Sequence, residues 1–180
     1  VESIDSLKIL EELDNAGKKC DRVINCLLQF HIATEETKFG LDPEEAEKIL
    51  QSDSFRNMTH IKICGVMGMA SFTDDEQLIR KEFKTLHGYF LDLKQRYFRE
   101  KDEFSEISMG MSGDYLLAIE EGSTMIRIGR VEDNKMVNMQ LTNNKLVDRG
   151  TRMVMEQMNI SDYDEARALL MKYGSVKKAV

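Results

Sequence analysis

The segment SMGMSGDY, residues 108 to 115, sets two glycines and a serine between an apolar run and a helical pattern. A turn of that kind points backbone N–H groups and the positive end of a helix dipole outward, which is the chemistry of an anion site. Ser112 is placed to cap the helix and to bond a phosphate oxygen, while Gly110 and Gly113 let the backbone come close. The next strand-like run ends in Arg127, Ile128 and Gly129, so an arginine and a glycine at the adjacent strand end complete a cradle. In α/β barrels the loops after the last two strands are a frequent phosphate site. The plain alternative is a helix cap beside a surface arginine.

Other reactive side chains form no comparable set. His31, His60 and His87 have no Ser, Cys or carboxylate at motif spacing, so structural or surface roles are expected of them. The clusters Glu35-Glu36, Glu44-Glu45-Glu47 and Asp74-Asp75-Glu76 fall in loops or first helical turns, where negative charge offsets the helix dipole. Cys20, Cys26 and Cys64 are odd in number and lack a Cys-x-x-Cys pair, which argues against a disulfide framework or a zinc site and for buried free thiols. The expected catalytic set and metal set are both empty.

The elements that must position the cradle follow from apolar periodicity. A short strand is expected at Val1 to Ile4, a helix at Ser6 to Lys19 and a buried strand at Val23 to Ala33. Asp42, Pro43 and Glu45 spell a capped helix start, and the helix runs to about Gln51. A strand at Ile61 to Met69 precedes a long helix, Asp74 to Tyr97, with Thr73 and Glu76 as its capping box. Strand, helix and strand then follow at 106 to 110, 114 to 121 and 124 to 129. Five strands alternating with four helices argue for α/β units around a parallel sheet. After Gly129 come a turn at Asp133-Asn134, an alternating segment from Met136 to Leu141, and helices near 143 to 158 and 161 to 173. No Pro-rich or Ser-rich linker marks the change, so the tail is expected to dock on the body or continue its sheet.

Composition narrows the function classes. The 180 residues are 42% hydrophobic and 32% charged, ordinary globular proportions, with formal net charge -7. The body to residue 129 carries net -9 and the rest +2. An acidic body with interspersed basic residues makes nucleic acid an unsuited partner. The longest nearly apolar run, Ile63 to Phe72, is about half a bilayer-spanning length, so no membrane is expected either. Val1 opens no export-type leader, and the cytoplasm is the expected compartment.

Four stretches, VESIDSLKILEEL, CLLQFHIATEETKFGLD, ICGVMGMASFTDD and FSEISMGMSGDYLLAIEEGSTMIRIG, keep their order over residues 1 to 129. Together they closely resemble the later part of the YggS/PROSC family of pyridoxal phosphate homeostasis proteins, whose barrel is similar to that of alanine racemase. The resemblance implies a phosphate cradle at Met111, Ser112, Arg127 and Gly129, and no turnover. It also implies that the chain starts near the fourth barrel strand, without the Schiff-base lysine of the first, and it gives Lys38 no covalent role. GRVEDNKMVNMQLTNNKLVDRGTRMVMEQ and DEARALLMKYGSVKKAV, over about 129 to 180, resemble the end of N-acetylmuramic acid 6-phosphate etherases, sugar isomerase (SIS) proteins. The glutamates and sugar-phosphate loop of that family lie in its earlier part.

The expected fold is therefore a partial (β/α) barrel of about five βα units over 1 to 129, with an etherase-like strand and helices over 130 to 180 packed on it. An open sheet, or completion by a second copy that covers the sheet edges, are the ways such a piece can close. The expected function is non-catalytic binding of a phosphate-containing small molecule, with pyridoxal 5'-phosphate held weakly and non-covalently. The alternatives are a recombined or engineered chimera with a purely structural role and, less favoured, a sugar-phosphate-binding remnant.

Overall fold

The computed structural model describes residues 1–35, 38–128, 130–132, 135–138, 144–174 and 176–180. They divide into two compact units, Val1–Arg127 and Ile128–Val180.

The first unit is built from helix α1 (Leu7–Lys19), strand β1 (Ile24–Phe30), α2 (Pro43–Gln51), α3 (Asp53–Arg56), β2 (Ile61–Gly68), α4 (Glu76–Tyr97), β3 (Glu106–Met111), α5 (Tyr115–Glu120) and β4 (Met125–Arg127). The strands form one parallel sheet in the order β1-β2-β3-β4, as expected for successive βα units. Val1 to Ile4 is not a strand. It lies along β1 through Leu27 N–H to Val1 O (2.8 Å), Ile4 N–H to Leu27 O (3.3 Å) and Gln29 N–H to Ile4 O (2.8 Å), and its one bridge is Ile4 to Leu28.

The helices cover one face of the sheet. Cys26, Leu28 and Phe30 of β1, Ile63 and Val66 of β2, and Ile107 and Met109 of β3 meet the α4 stripe of Ile79, Phe83, Leu86, Phe90 and Leu93 in the main core. The register slips between Cys26 and Leu27, which pair with Ile63 and Gly65. That irregularity explains why the helix-facing residues of β2 are three apart rather than two. Leu27, Cys64 and Met67 make a second cluster, beside a cavity of about 420 Å³ lined by Glu2, Asn25, Leu27, Lys62 and Met125 among others. After α4, Phe98 stacks on Phe104 (4.3 Å between centroids, 3° between planes) and Phe104 on Phe90 (5.0 Å, 10°), which pins the connection into β3.

Local signals explain the helix starts. On α2 both halves of the capping box form, Glu45 N–H to Asp42 (2.8 Å) and Asp42 N–H to Glu45 (3.0 Å). On α4 the expected Thr73 box does not form. Asp75 is the cap, accepting from Gln77 and Leu78 N–H, and Thr73 Oγ1 accepts from Asp75 N–H one step earlier. Three adjacent capping residue types compete here, and the one nearest the first free N–H groups wins. Cys26 and Cys64 are buried free thiols, and burial pushes both up from the usual thiol range. Cys20 is exposed, contrary to expectation, because it terminates α1 at the surface.

In the second unit β5 (Arg130–Glu132) and β6 (Lys135–Asn138) pair antiparallel as a separate two-stranded sheet, so the tail's strands do not extend the parallel sheet. Helices α6 (Asn144–Met158), α7 (Tyr163–Tyr173) and α8 (Val176–Ala179) enclose Val154, Ala166, Leu170, Val176 and Ala179. Gly174, at φ +71, ends α7 in the left-handed conformation that the sequence signals. The turn residues Asp133 and Asn134 and the far end of the alternating segment, Met139 to Leu141, lie outside the described residues. No described helix is long and apolar enough to cross a membrane.

Candidate functional site

Strand β3 is buried along its middle and surfaces at Met111, on the carboxyl edge of the sheet. Across the β3–β4 register Met111 pairs with Arg127, so the two strand ends that the sequence singles out are neighbours. The short strand β4 is held there by the Ser123 hydroxyl, which donates toward Met109 O (2.7 Å) and Met125 O (2.9 Å), and by Ile107 N–H to Thr124 Oγ1 (2.8 Å). Gly110 sits at φ +96, and a Cβ added to it would meet Ala118 Cβ at 2.5 Å. Only glycine lets α5 fold back this closely on β3.

Ser112 is half-buried in the turn, but the cap position of α5 belongs to Asp114. The Asp114 carboxylate reaches back to accept the Met111 N–H, and Asp114 N–H donates to Met111 O (3.0 Å). A carboxylate thus already holds one donor of the expected cradle. Arg127 is exposed and has no hydrogen-bond or ion-pair partner among the described residues. Gly129 lies outside the described residues.

A second group of polar residues, which sequence reasoning missed, occupies the same edge at the ends of β1 and β2. Glu82 is 3% exposed, on the apolar stripe of α4. Its Oε1 accepts from Thr34 N–H (3.0 Å) and Ser71 Oγ (2.7 Å), and its Oε2 from Ser71 N–H (2.7 Å). Alongside, Glu35 accepts from Phe72 N–H (2.6 Å), and the Lys38 ammonium donates to Ala70 O and lies 3.9 Å from Glu35. A glutamate four residues before Leu86 and three after Ile79, inside an apolar stripe, was the available signal.

The histidines serve packing and turns. His31 faces Glu35 O (3.1 Å), His60 faces Thr59 Oγ1 (2.9 Å), and His87 Nδ1 meets Glu121 O (2.9 Å) at the end of α5. Among the described residues no group of three His, Cys, Asp or Glu could hold a metal ion. At this edge the exposed Arg127 guanidinium is a donor of the kind that suits the phosphate end of pyridoxal 5'-phosphate, whereas the Met111 N–H is held by Asp114.

Comparisons with known proteins show which proteins the chain is similar to. Residues 1–131 match the family described as alanine racemase, N-terminal domain. A pyridoxal phosphate homeostasis protein of Helicobacter pylori is 38% identical over 130 residues, 71% of this chain and 53% of its own length. One from Pasteurella multocida is 31% identical over 129 residues, 54% of its length. The chain thus spans about half the length of these relatives. Among solved structures, PipY of Synechococcus elongatus with pyridoxal phosphate bound superposes with a TM-score of 0.60 at 27% identity, over 71% of this chain and 57% of PipY. A separate likeness is to the N-acetylmuramic acid 6-phosphate etherase of Bacteroides fragilis, 53% identical over 76 residues, 42% of this chain and 27% of the etherase. That match is longer than the whole of 129 to 180, so the likeness is not confined to the tail.

Proposed function

Because the chain belongs to the alanine racemase N-terminal domain family, we propose that it binds pyridoxal 5'-phosphate non-covalently, through the phosphate, at Met111, Ser112, Arg127 and Gly129, and turns nothing over. The observation that carries this reading is Arg127, exposed and without a partner among the described residues, set beside Met111 at the carboxyl edge of a parallel sheet. The bound cofactor would supply an electrophilic aldehyde. The residues of this chain hold its phosphate, and among the described residues no nucleophile and base are arranged around it. Lys38 has its ammonium on Ala70 O and near Glu35, and it is given no covalent role. The sheet is read as part of a barrel, with 130 to 180 as an etherase-like tail.

Calorimetric titration with inorganic phosphate and with pyridoxal 5'-phosphate tests the reading. The wild-type chain should bind both with modest affinity, Arg127→Ala should abolish binding, and Lys38→Ala should leave phosphate binding unchanged. Intact phosphate binding in Arg127→Ala would show the site to be elsewhere. A borohydride-stable adduct at one lysine would overturn the non-covalent part.

A second reading, a recombined or engineered chain with a purely structural role, is supported by the etherase likeness beginning without a Pro-rich or Ser-rich linker. It expects no binding in the same titrations.

A further inference from the structure

We infer that Glu82 is a positioning residue for the cofactor site, locking the loops after β1 and β2 into one wall at the carboxyl edge of the sheet; this rests on the pyridoxal phosphate reading above. Glu82 is the one charged residue among the buried positions of α4, which are otherwise Ile79, Phe83, Leu86, Phe90 and Leu93. A carboxylate on such a stripe is costly to bury unless donors surround it. Its donors come from the two loops, Thr34 four residues past the end of β1 and Ser71 three past the end of β2.

The bonds form a closed set. Thr34 N–H is shared between Glu82 and Ser71 Oγ (3.1 Å), the Thr34 and Ser71 hydroxyls meet at 3.0 Å, and Ser71 gives both its N–H and its hydroxyl to the carboxylate. An apolar residue at 82 would leave the Ser71 N–H without its acceptor and the Thr34 N–H with Ser71 Oγ alone. The loops would then lose their common anchor, while α4 kept its apolar stripe. Because all four strands run parallel and β2 is the neighbour of β3, this wall stands on the same edge as Met111 and Arg127, on different loops. The phosphate cradle therefore does not depend on Glu82, whereas the rest of a bound cofactor does. That asymmetry gives the test.

In the full chain, Glu82→Gln keeps the side chain's shape but turns an amide NH2 toward a donor. It should weaken pyridoxal 5'-phosphate about tenfold, the size of one lost buried acceptor. Inorganic phosphate affinity should stay unchanged, and amide hydrogen exchange at Thr34 and Ser71 should accelerate. Ser71→Ala, which removes one hydroxyl, should act the same way more weakly and serves if the glutamine variant does not fold. Unchanged pyridoxal phosphate affinity in both variants, or an equal loss for both ligands, overturns the role of Glu82. A wild-type chain that binds phosphate but shows no preference for pyridoxal phosphate overturns the cofactor reading and the wall with it, while accelerated exchange at Thr34 and Ser71 would still support the lock itself.

Discussion

Arg127 and Asp114 bring opposite charges to the end of β3, and a bound anion feels both. The Asp114 carboxylate occupies the Met111 N–H that a phosphate oxygen would use. Asp114→Asn keeps an acceptor there and removes the repulsion, so phosphate should bind about fivefold tighter, the equivalent of roughly 1 kcal/mol for charges near a surface. Weaker binding in a titration of that variant would show the carboxylate to be part of the cradle. Gly110→Ala puts a methyl group 2.5 Å from Ala118 Cβ at a positive φ, and it should lower unfolding free energy by about 2 kcal/mol or more in urea denaturation. The neighbours Met111 and Arg127 were legible beforehand, because a Gly-Ser turn and an Arg-Ile-Gly strand end each carry a local signature. Glu82 was not, because its partners Thr34 and Ser71 lie 48 and 11 residues away and only the folded loops bring them together.

At the scale of elements, helix starts with one candidate cap were read correctly and those with several were not. Asp42-Pro43-Glu45 left one choice, whereas Thr73, Asp74 and Asp75 offered three, and the backbone trajectory selected Asp75. Asp42→Ala should cost about 1 kcal/mol of stability in thermal or chemical unfolding, since the Glu45 N–H loses its acceptor while the backbone N–H of residue 42 keeps the Glu45 carboxylate. In the second unit α6 and α7 are joined by the Tyr163 hydroxyl donating to Asp148 (2.6 Å), with Arg152 also on the carboxylate (3.2 Å). The Tyr163 hydrogen bond, then the arginine, hold Asp148 below its usual range against the opposing effect of burial. A lowered carboxylate contributes stability above its ordinary titration range and loses it as pH falls through the depressed one. Tyr163→Phe should therefore lower the melting temperature of the helices at neutral pH. The difference from wild type should shrink in acid, and a pH-independent difference would exclude the pair as its cause.

For the whole molecule, alternation of strand and helix was enough to give a parallel α/β sheet, because each βα unit repeats the same local grammar. It was not enough to give the strand count, since Val1 to Ile4 lies along β1 with a single bridge. A four-stranded parallel sheet leaves edges that a closed barrel would not have. If a second copy covers them, sedimentation equilibrium returns twice the chain mass of 20.8 kDa; a monomer mass excludes that way of closing the sheet. The stacked Phe90, Phe104 and Phe98 have a use beyond packing. All eight phenylalanines fall between residues 30 and 104, the chain has no tryptophan, and the helical unit after Arg127 has no phenylalanine at all. The sharp near-ultraviolet phenylalanine bands are therefore an optical label on the first unit alone. One tryptophan introduced into α7 would give the second unit its own colour, and the two melting curves could be read in a single cuvette.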